Sequence, residues 1–278
     1  MSRRQTALVV EGGAMRGIFA AGVLDAFMAR GVTAFDHCIG VSAGAVNLAA
    51  FLAGQQGRNH SVITDYSCRP EFISLAKFMR GGHWLDLDWL WEITICECRL
   101  DLVRFATNPV PLTVVTTRVS DGQAAYLKAT AEELEQQVKA SCSVPLAYRD
   151  FVRLGGEAMT DGGVADSIPV RHAYEQGARD ITVVLSRPLG YRKRAPRLPA
   201  LHRYLLRQTP ALARASLARH HSYNDAIDFI RNPPADFRIW LIHPPAGFRV
   251  GRMTTDPDKL EQGYQMGWQA AQAYLSTG

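Results

Sequence analysis

The sequence is poor in cysteine. Its 278 residues include five cysteines, an odd number whose spacing matches no disulfide framework. The only close pair, Cys96 and Cys98, lacks both the C-x-x-C spacing and the second ligand pair of a structural zinc site. We therefore expect free thiols in a reducing cytosol, and we expect neither a metal nor any other cofactor.

Long hydrophobic runs are missing as well. Near the amino terminus the apolar run covers only residues 7–10, which is too short for the core of a signal peptide. The longest apolar stretch, residues 41–54, contains Ser42 and Asn47 and falls short of the ~18 residues that a bilayer-spanning helix needs. We expect a cytoplasmic protein, with peripheral contact at the inner membrane face as a further hypothesis.

Acidic residues are absent from one stretch, which runs from Arg187 to Arg219. This stretch holds nine of the chain's 31 lysines and arginines, although the net charge of the whole chain is only +5. A local excess of positive charge favours peripheral contact with an anionic membrane surface, and an ordinary solvated face is the alternative. Only Tyr191 and Tyr204 supply aromatic rings there, so we expect no nucleic-acid partner.

Short apolar segments alternate with helical patterns, which predicts an α/β fold with a mainly parallel central sheet. Strands are predicted at residues 6–10, 112–117 and 181–185, and a hairpin at residues 151–159. The remainder, residues 186–278, is predicted to be mainly helical, with prolines that break the basic stretch, one late strand and a closing helix. We expect two parts, residues 6–185 and residues 186–278, with the second packed on the first.

The clearest motif is Gly40-Val-Ser-Ala-Gly44, which lies between a short apolar strand and an Ala- and Leu-rich helix. A G-x-S-x-G turn in this position is a nucleophile elbow. It presents the serine hydroxyl beside the positive end of a helix, where free N–H groups stabilise a developing oxyanion. Ser42 is therefore a candidate nucleophile. The alternative is that the small residues only tighten the packing of the strand on the helix.

A second glycine-rich turn, EGGAMRG at residues 11–17, follows the first predicted strand. A dinucleotide fingerprint would need glycine at Ala14, and a P-loop would need Lys-Ser or Lys-Thr after the last glycine, so both interpretations are weak. The third interpretation is an oxyanion loop, in which the N–H groups of Gly12, Gly13 and Ala14 point into the site and Arg16 adds positive charge. Loops that follow parallel strands share one edge of the sheet, so we expect this loop beside the elbow.

The third motif is Asp161-Gly162-Gly163, directly after the predicted hairpin. Its glycines let the backbone bring the carboxylate close to another loop, and an ordinary Asp-Gly turn is the alternative. In this order the three motifs resemble those of the patatin-like phospholipase family, which has a glycine-rich loop with Arg or Lys, a G-x-S-x-G and a later D-G-G or D-G-A. The resemblance covers about residues 6–185 and implies a three-layer α/β/α catalytic domain with a mainly parallel sheet.

By this resemblance, Ser42 is the nucleophile and Asp161 its proton acceptor, in a dyad without histidine that hydrolyses carboxylic esters of fatty-acyl lipids through an acyl-enzyme. The oxyanion hole is formed by Gly12, Gly13 and Ala14, and the supporting residues are Arg16, Gly17, Gly40, Gly44, Gly162 and Gly163. The family usually has a third glycine where Ala14 stands. A positive φ would cost alanine ~1 kcal/mol or more, which would mis-set the hole and slow turnover.

Two other functions stay open. A Ser-His-Asp esterase or thioesterase of the α/β-hydrolase type would need a histidine after its acid, and His243 at the end of a predicted strand is the best placed of five: His172, His202, His220, His221 and His243. A lipid- or nucleotide-binding module would use the glycine loop without catalysis. Residues 84–105 are rich in Trp, Leu and Ile, and they form either a core or cap segment or a wall of an acyl-chain pocket.

Overall fold

A mixed sheet runs through the computed structural model, which describes residues 4–33 and 35–276 of the chain. Most of its strands are short apolar segments with several β-branched residues, which pack well on a pleated surface. The strands are β1 (Thr6–Val10), β2 (His37–Val41), β3 (Leu112–Arg118), β4 (Ala124–Lys128), β5 (Val152–Leu154), β6 (Glu157–Asp161), β7 (Asp180–Val184) and β8 (Arg238–Ile242).

The strand order is β5-β6-β3-β2-β1-β7-β8, and β4 pairs with β3 outside this path. β3, β2, β1, β7 and β8 are parallel neighbours. β4, β5 and β6 are antiparallel to the strands that they pair with. The predicted α/β class with a mainly parallel sheet is confirmed, and the sheet also takes in β8, which comes from the part of the chain beyond residue 185.

Helices cover both faces of the sheet. Successive side chains of a strand point in opposite directions, and the central strands are apolar on both sides, so each face needs helices to bury it. On one face Leu8 of β1 packs in a core with Phe19 and Leu48, and on the other Val9 packs in a core with Ile227. The helices are α1 (Gly17–Ala29), α2 (Ala43–Leu52), α3 (Arg58–Ser61), α4 (Leu75–Met79), α5 (Leu87–Glu97), α6 (Leu102–Thr107), α7 (Leu134–Cys142), α8 (Val170–Glu175), α9 (Pro199–Leu205), α10 (Pro210–Arg231) and α11 (Pro257–Ser276). Within the described ranges, none of them combines the length and hydropathy of a bilayer-spanning helix.

The last helix packs directly on the first. Where α11 crosses α1, a Cβ atom at Gly267 would overlap the carbonyl oxygen of Phe19, and one at Gly22 would overlap the carbonyl oxygen of Tyr264. The Tyr264 hydroxyl also donates to Asp25 Oδ2 over 2.8 Å. Glycine on both sides lets the two helix backbones touch, so the carboxyl-terminal helix is part of the same core as the glycine-rich loop's helix.

Two strands end opposite each other along one edge of β3. β2 runs parallel to β3 until Val41 lies opposite Val115, and β6 runs antiparallel to β3 until Asp161 lies opposite Thr116. β4 pairs with two of the β3 residues that β6 also pairs with and with three that β2 also pairs with, so β4 occupies the other edge. The carboxyl ends of β2 and β6 therefore meet head-on, and the residues that follow them lie at one point of the sheet.

Candidate active site

Ser42 follows β2 directly and adopts φ 53 and ψ −127, a conformation that residues with a side chain avoid. Its N–H donates to Ser141 Oγ over 2.7 Å, and that hydroxyl donates to the Val115 carbonyl oxygen over 2.6 Å. α2 begins at the next residue, so Ser42 lies at the positive end of a helix. The strained backbone at Ser42 is thus linked by hydrogen bonds to Ser141 of α7 and, through it, to Val115 of β3.

The glycines around the elbow are places of close backbone approach. A Cβ atom at Gly40 would lie 2.6 Å from the Ala45 Cα atom, and one at Gly44 would overlap the Val10 carbonyl oxygen. At Gly17 it would lie 2.9 Å from the Ala43 side chain. Because these three glycines have ordinary φ angles, their role is to leave room for the crossing of β2, α1 and α2.

The glycine-rich loop lies against the elbow. A Cβ atom at Gly12 would lie 2.9 Å from the Ser42 Cβ, and one at Gly13 would lie 2.9 Å from Ser186 Oγ. In the described ranges, no hydrogen bond engages the N–H groups of Gly12, Gly13 or Ala14. Ala14 has φ 50, so alanine occupies the left-handed conformation that glycine accepts more easily. Three free N–H groups therefore lie in the loop beside the serine.

A small polar network fixes this loop to the end of β7. Arg16 is buried, and its Nε and Nη2 donate to Ser186 Oγ over 3.3 and 3.2 Å. The Ser186 N–H donates to Glu11 Oε2 over 2.7 Å, and the Ser186 hydroxyl donates to the Gly12 carbonyl oxygen over 3.2 Å. Arg16 and Glu11 thereby orient the loop through one serine.

Asp161 is 3% exposed and ends β6 next to the elbow. Its Oδ1 accepts the Gly163 N–H over 2.6 Å, and its own N–H donates to the Ser143 carbonyl oxygen over 3.0 Å. A Cβ atom at Gly162 would overlap the Val115 carbonyl oxygen. Among the described residues no hydrogen bond joins Asp161 to Ser42.

Gly163 separates the carboxylate from a buried guanidinium. A Cβ atom at this position would lie 2.7 Å from Arg219 Nη2 and 2.9 Å from Asp161 Oδ1. Burial lowers the pKa of Arg219, and the negative charge of Asp161 opposes that change. Arg219 comes from α10, so the carboxyl-terminal part of the chain supplies a charge beside Asp161.

An apolar cavity of about 140 Å³ opens beside Ser42. Ala14 and Ala43 line it near the serine, and the far walls come from α2, α5 and α7. The predicted Trp- and Leu-rich segment contributes to these walls through Leu87, Leu90, Trp91, Ile95 and Leu100. Ligand sites are usually lined mainly by apolar side chains, as this cavity is.

A model of the family described as Patatin-like phospholipase matches residues 8–174. The chain belongs to the patatin-like phospholipase family. A second family model, described as a domain of unknown function (DUF6363), matches residues 209–277.

Two individual proteins resemble this patatin-like phospholipase family member. YjjU of Escherichia coli strain K12, an uncharacterized protein, is 34% identical over 276 residues, which cover 98% of this chain and 77% of YjjU. The crystal structure of VipD from Legionella pneumophila aligns with a TM-score of 0.49 at 12% identity, over 99% of this chain and 67% of VipD.

A buried thiol lies beside Ser42 in this patatin-like chain. The Cys142 thiol is close enough to the Ser42 hydroxyl to interact with it, and both line the apolar cavity. Burial raises the pKa of Cys142 to about 12, with the negative charge of Asp161 as the second cause. The thiol is therefore protonated at neutral pH.

The histidines of the patatin-like chain have other partners. His243 Nδ1 lies 3.0 Å from the Pro244 carbonyl oxygen, directly after β8 at the edge of the sheet. His172 stacks on Tyr126, and His202 Nε2 lies 2.9 Å from Ser216 Oγ. Within residues 4–33 and 35–276, no histidine forms a hydrogen bond with Ser42 or Asp161.

Proposed function

We propose that the chain hydrolyses carboxylic ester bonds of fatty-acyl lipids, with Ser42 as the nucleophile and Asp161 as its proton acceptor. The observation that carries the proposal is the head-on meeting of β2 and β6 on one edge of β3. It supports a serine and a carboxylate acting on one group at the mouth of an apolar cavity. Family membership supports a lipid as the substrate.

In the first half-reaction Asp161 accepts the proton of Ser42 Oγ while that oxygen attacks the ester carbonyl carbon. The N–H groups of Gly12, Gly13 and Ala14 stabilise the negative oxygen of the tetrahedral intermediate, at about 3 kcal/mol for each well-placed donor. The bond to the alcohol oxygen then breaks, and Asp161 returns its proton to that oxygen. The products are the free alcohol and an acyl ester on Ser42, whose chain occupies the apolar cavity.

In the second half-reaction a water molecule replaces the alcohol. Asp161 accepts a proton from the water as its oxygen attacks the acyl carbon, and the same N–H groups stabilise the second tetrahedral intermediate. The bond to Ser42 Oγ breaks, and the proton passes from Asp161 to that oxygen. The fatty acid leaves, and both side chains return to their initial state.

Purified wild-type protein tests this with p-nitrophenyl esters of increasing chain length and with a fluorophosphonate probe. We expect release of p-nitrophenol, labelling at Ser42, and loss of both in Ser42→Ala. Asp161→Asn should lower the rate by about 100-fold or more, because the serine then lacks its base. Matched substitutions at exposed positions, Ser120→Ala and Asp150→Asn, should leave the rate unchanged.

Three results would contradict the proposal, each in a different way. Ester hydrolysis that survives Ser42→Ala would place the chemistry elsewhere. If His243→Gln loses activity while Asp161→Asn keeps it, the protein would be a Ser-His-Asp enzyme. Absence of both turnover and labelling in folded wild-type protein would indicate a binding module.

We also propose that the segment around α9 contacts anionic membrane surfaces. Leu198, Leu201, Tyr204 and Leu205 are 64, 49, 62 and 50% exposed, and exposed arginines are interleaved with them. Apolar groups beside cations are typical of an interfacial segment. Sedimentation with vesicles should increase with the fraction of phosphatidylglycerol and decrease with salt. Vesicle binding that does not change with phosphatidylglycerol or with salt would contradict the proposed membrane contact. Unchanged binding by the double variant Leu198→Ser/Tyr204→Ser would also contradict it.

A further inference from the structure

A second cavity borders the glycine-rich loop, and its lining is basic. It has a volume of about 270 Å³, and six cationic side chains line it: Arg16, Arg187, Lys193, Arg194, Arg219 and Arg252. Glu11 is the one carboxylate among the described residues of this lining, and its Oε2 already accepts the Ser186 N–H. The basic cavity therefore holds a large excess of positive charge.

Three buried polar atoms of the basic cavity have no hydrogen-bond partner in the protein. They are Arg16 Nη1, Arg219 Nε and Tyr223 Oη. In the part of the chain that the structure describes, Gln137 Oε1 is the only other buried side-chain atom in this state. Buried donors are normally satisfied, so three such atoms on residues that line one cavity show that the protein itself supplies too few acceptors there.

The charges of the cavity disfavour one another. Burial lowers the pKa of Lys193 to about 6, and repulsion by Arg219 and Arg252 acts in the same direction. Burial also lowers the pKa of Arg16 to about 10, with Arg187 and Arg252 as further repelling groups. A bound anion would replace this repulsion with attraction to every cation around it.

The donor set suits a tetrahedral oxyanion. Guanidinium groups present planar pairs of N–H donors that match phosphate oxygens, a lysine adds a point charge, and Tyr223 adds a hydroxyl donor. A carboxylate holds its two accepting oxygens in one plane, whereas the two unesterified oxygens of a phosphodiester, or the three of a monoester, project from a tetrahedral centre toward donors on several sides. The number and spread of the donors favour phosphate.

We propose that the basic cavity binds a phosphate group. Its position relates it to the candidate active site, because Arg252 lines both cavities and Arg219 faces Asp161 across Gly163. The phosphate can belong to a glycerophospholipid whose acyl ester lies at Ser42, an origin that rests on the proposed function, or it can be a free phosphate ion. Arg219, Tyr223 and Arg252 lie in residues 209–277, so the proposal gives this segment a ligand.

Isothermal titration calorimetry on the full chain in phosphate-free buffer tests the site without any hydrolysis. The probes are inorganic phosphate, glycerol 3-phosphate and glycerophosphoglycerol, with glycerol as the uncharged control. We expect saturable binding of at least one phosphate compound, weakened at least tenfold in Arg219→Gln. Arg207→Gln removes an exposed arginine outside the cavity and should bind as the wild type does.

Lys193→Gln gives a second variant of the same cavity, and it carries the test if circular dichroism shows that Arg219→Gln is unfolded. Tighter binding of glycerophosphoglycerol than of inorganic phosphate identifies a lipid headgroup as the ligand, and the reverse order identifies free phosphate. No saturable binding of any probe by folded wild-type protein would overturn the proposal. Equal affinity of the wild type and both cavity variants would also overturn it, because the phosphate would then bind elsewhere.

Discussion

Replacement of Ala14 by glycine tests whether the glycine-rich loop stores backbone strain. Ala14 has φ 50, in the left-handed region, and it is the only non-glycine residue of that loop with a positive φ. Its N–H is one of the three free donors beside Ser42. Glycine adopts this conformation without the contact that a Cβ makes with the backbone.

The expected gain follows from two opposing terms. Relief of the left-handed conformation favours glycine by about 1–2 kcal/mol, and the greater freedom of glycine in the unfolded chain costs about 0.4–1 kcal/mol. The net increase in the free energy of unfolding is about 0.5–1 kcal/mol. With an unfolding entropy of about 2.1 cal/mol/K per residue, this raises the melting temperature of a 278-residue protein by about 1–2 °C.

Differential scanning calorimetry can resolve this shift against a matched control. Ala165 is half-buried like Ala14 but has φ −86, so Ala165→Gly carries only the cost in the unfolded chain and should lower the melting temperature by about 1–2 °C. Ala14→Gly should also hydrolyse esters at least as fast as the wild type, because glycine holds the N–H of this position in the left-handed conformation without strain. Equal decreases in both variants would refute the strained backbone, and a slower Ala14→Gly enzyme would refute the expected effect of alanine on the hole.

Two further predictions concern stability. Gly267→Ala forces a Cβ against the Phe19 carbonyl oxygen and should lower the free energy of unfolding, measured in urea, by about 3 kcal/mol. Gly190→Ala, at a position with open space, should leave it unchanged. Equal stabilities of the two variants would contradict the contact between α1 and α11. The pKa of Lys193 is about 6 in the folded chain and 10.5 in the unfolded chain. Between these pH values the unfolded chain binds the extra proton, so the contribution of Lys193 to the free energy of unfolding rises with pH. Lys193→Met should therefore be stabilised relative to the wild type most strongly near pH 6 and least near pH 10, whereas Lys128→Met, at an exposed position, should show no such trend in thermal melts in phosphate-free buffer.

Local patterns were sufficient for the fold class and for the three loops. Apolar runs followed by glycine-rich turns identified β1 and β2, and Gly155 with Gly156 identified the β5–β6 hairpin. What these patterns could not supply is the pairing of β6 with the same edge of β3 as β2. That pairing joins residues more than forty positions apart along the chain, and no local signal encodes it.

The residues that hold the site in place were harder to find than those proposed to act in it. Ser141, Ser143 and Ser186 are small polar residues in ordinary segments, and their importance follows only from which backbone groups they meet. The basic stretch gave a different lesson. Composition suggested a charged surface, yet Lys193 and Arg219 line a cavity beside the glycine-rich loop. Arg219 lies on α10, and the Asn224 side chain of the same helix holds the backbone of Lys193 through two hydrogen bonds.

The contact of α11 with α1 has a consequence for the nascent protein. The glycine-rich loop leads straight into α1, and one side of α1 stays bare until residues 257–276 have left the ribosome. Partial translation products therefore contain Ser42 and the glycine-rich loop but lack α11, the helix that packs on α1. Synthesis has to reach α11 before the core behind the glycine-rich loop is complete.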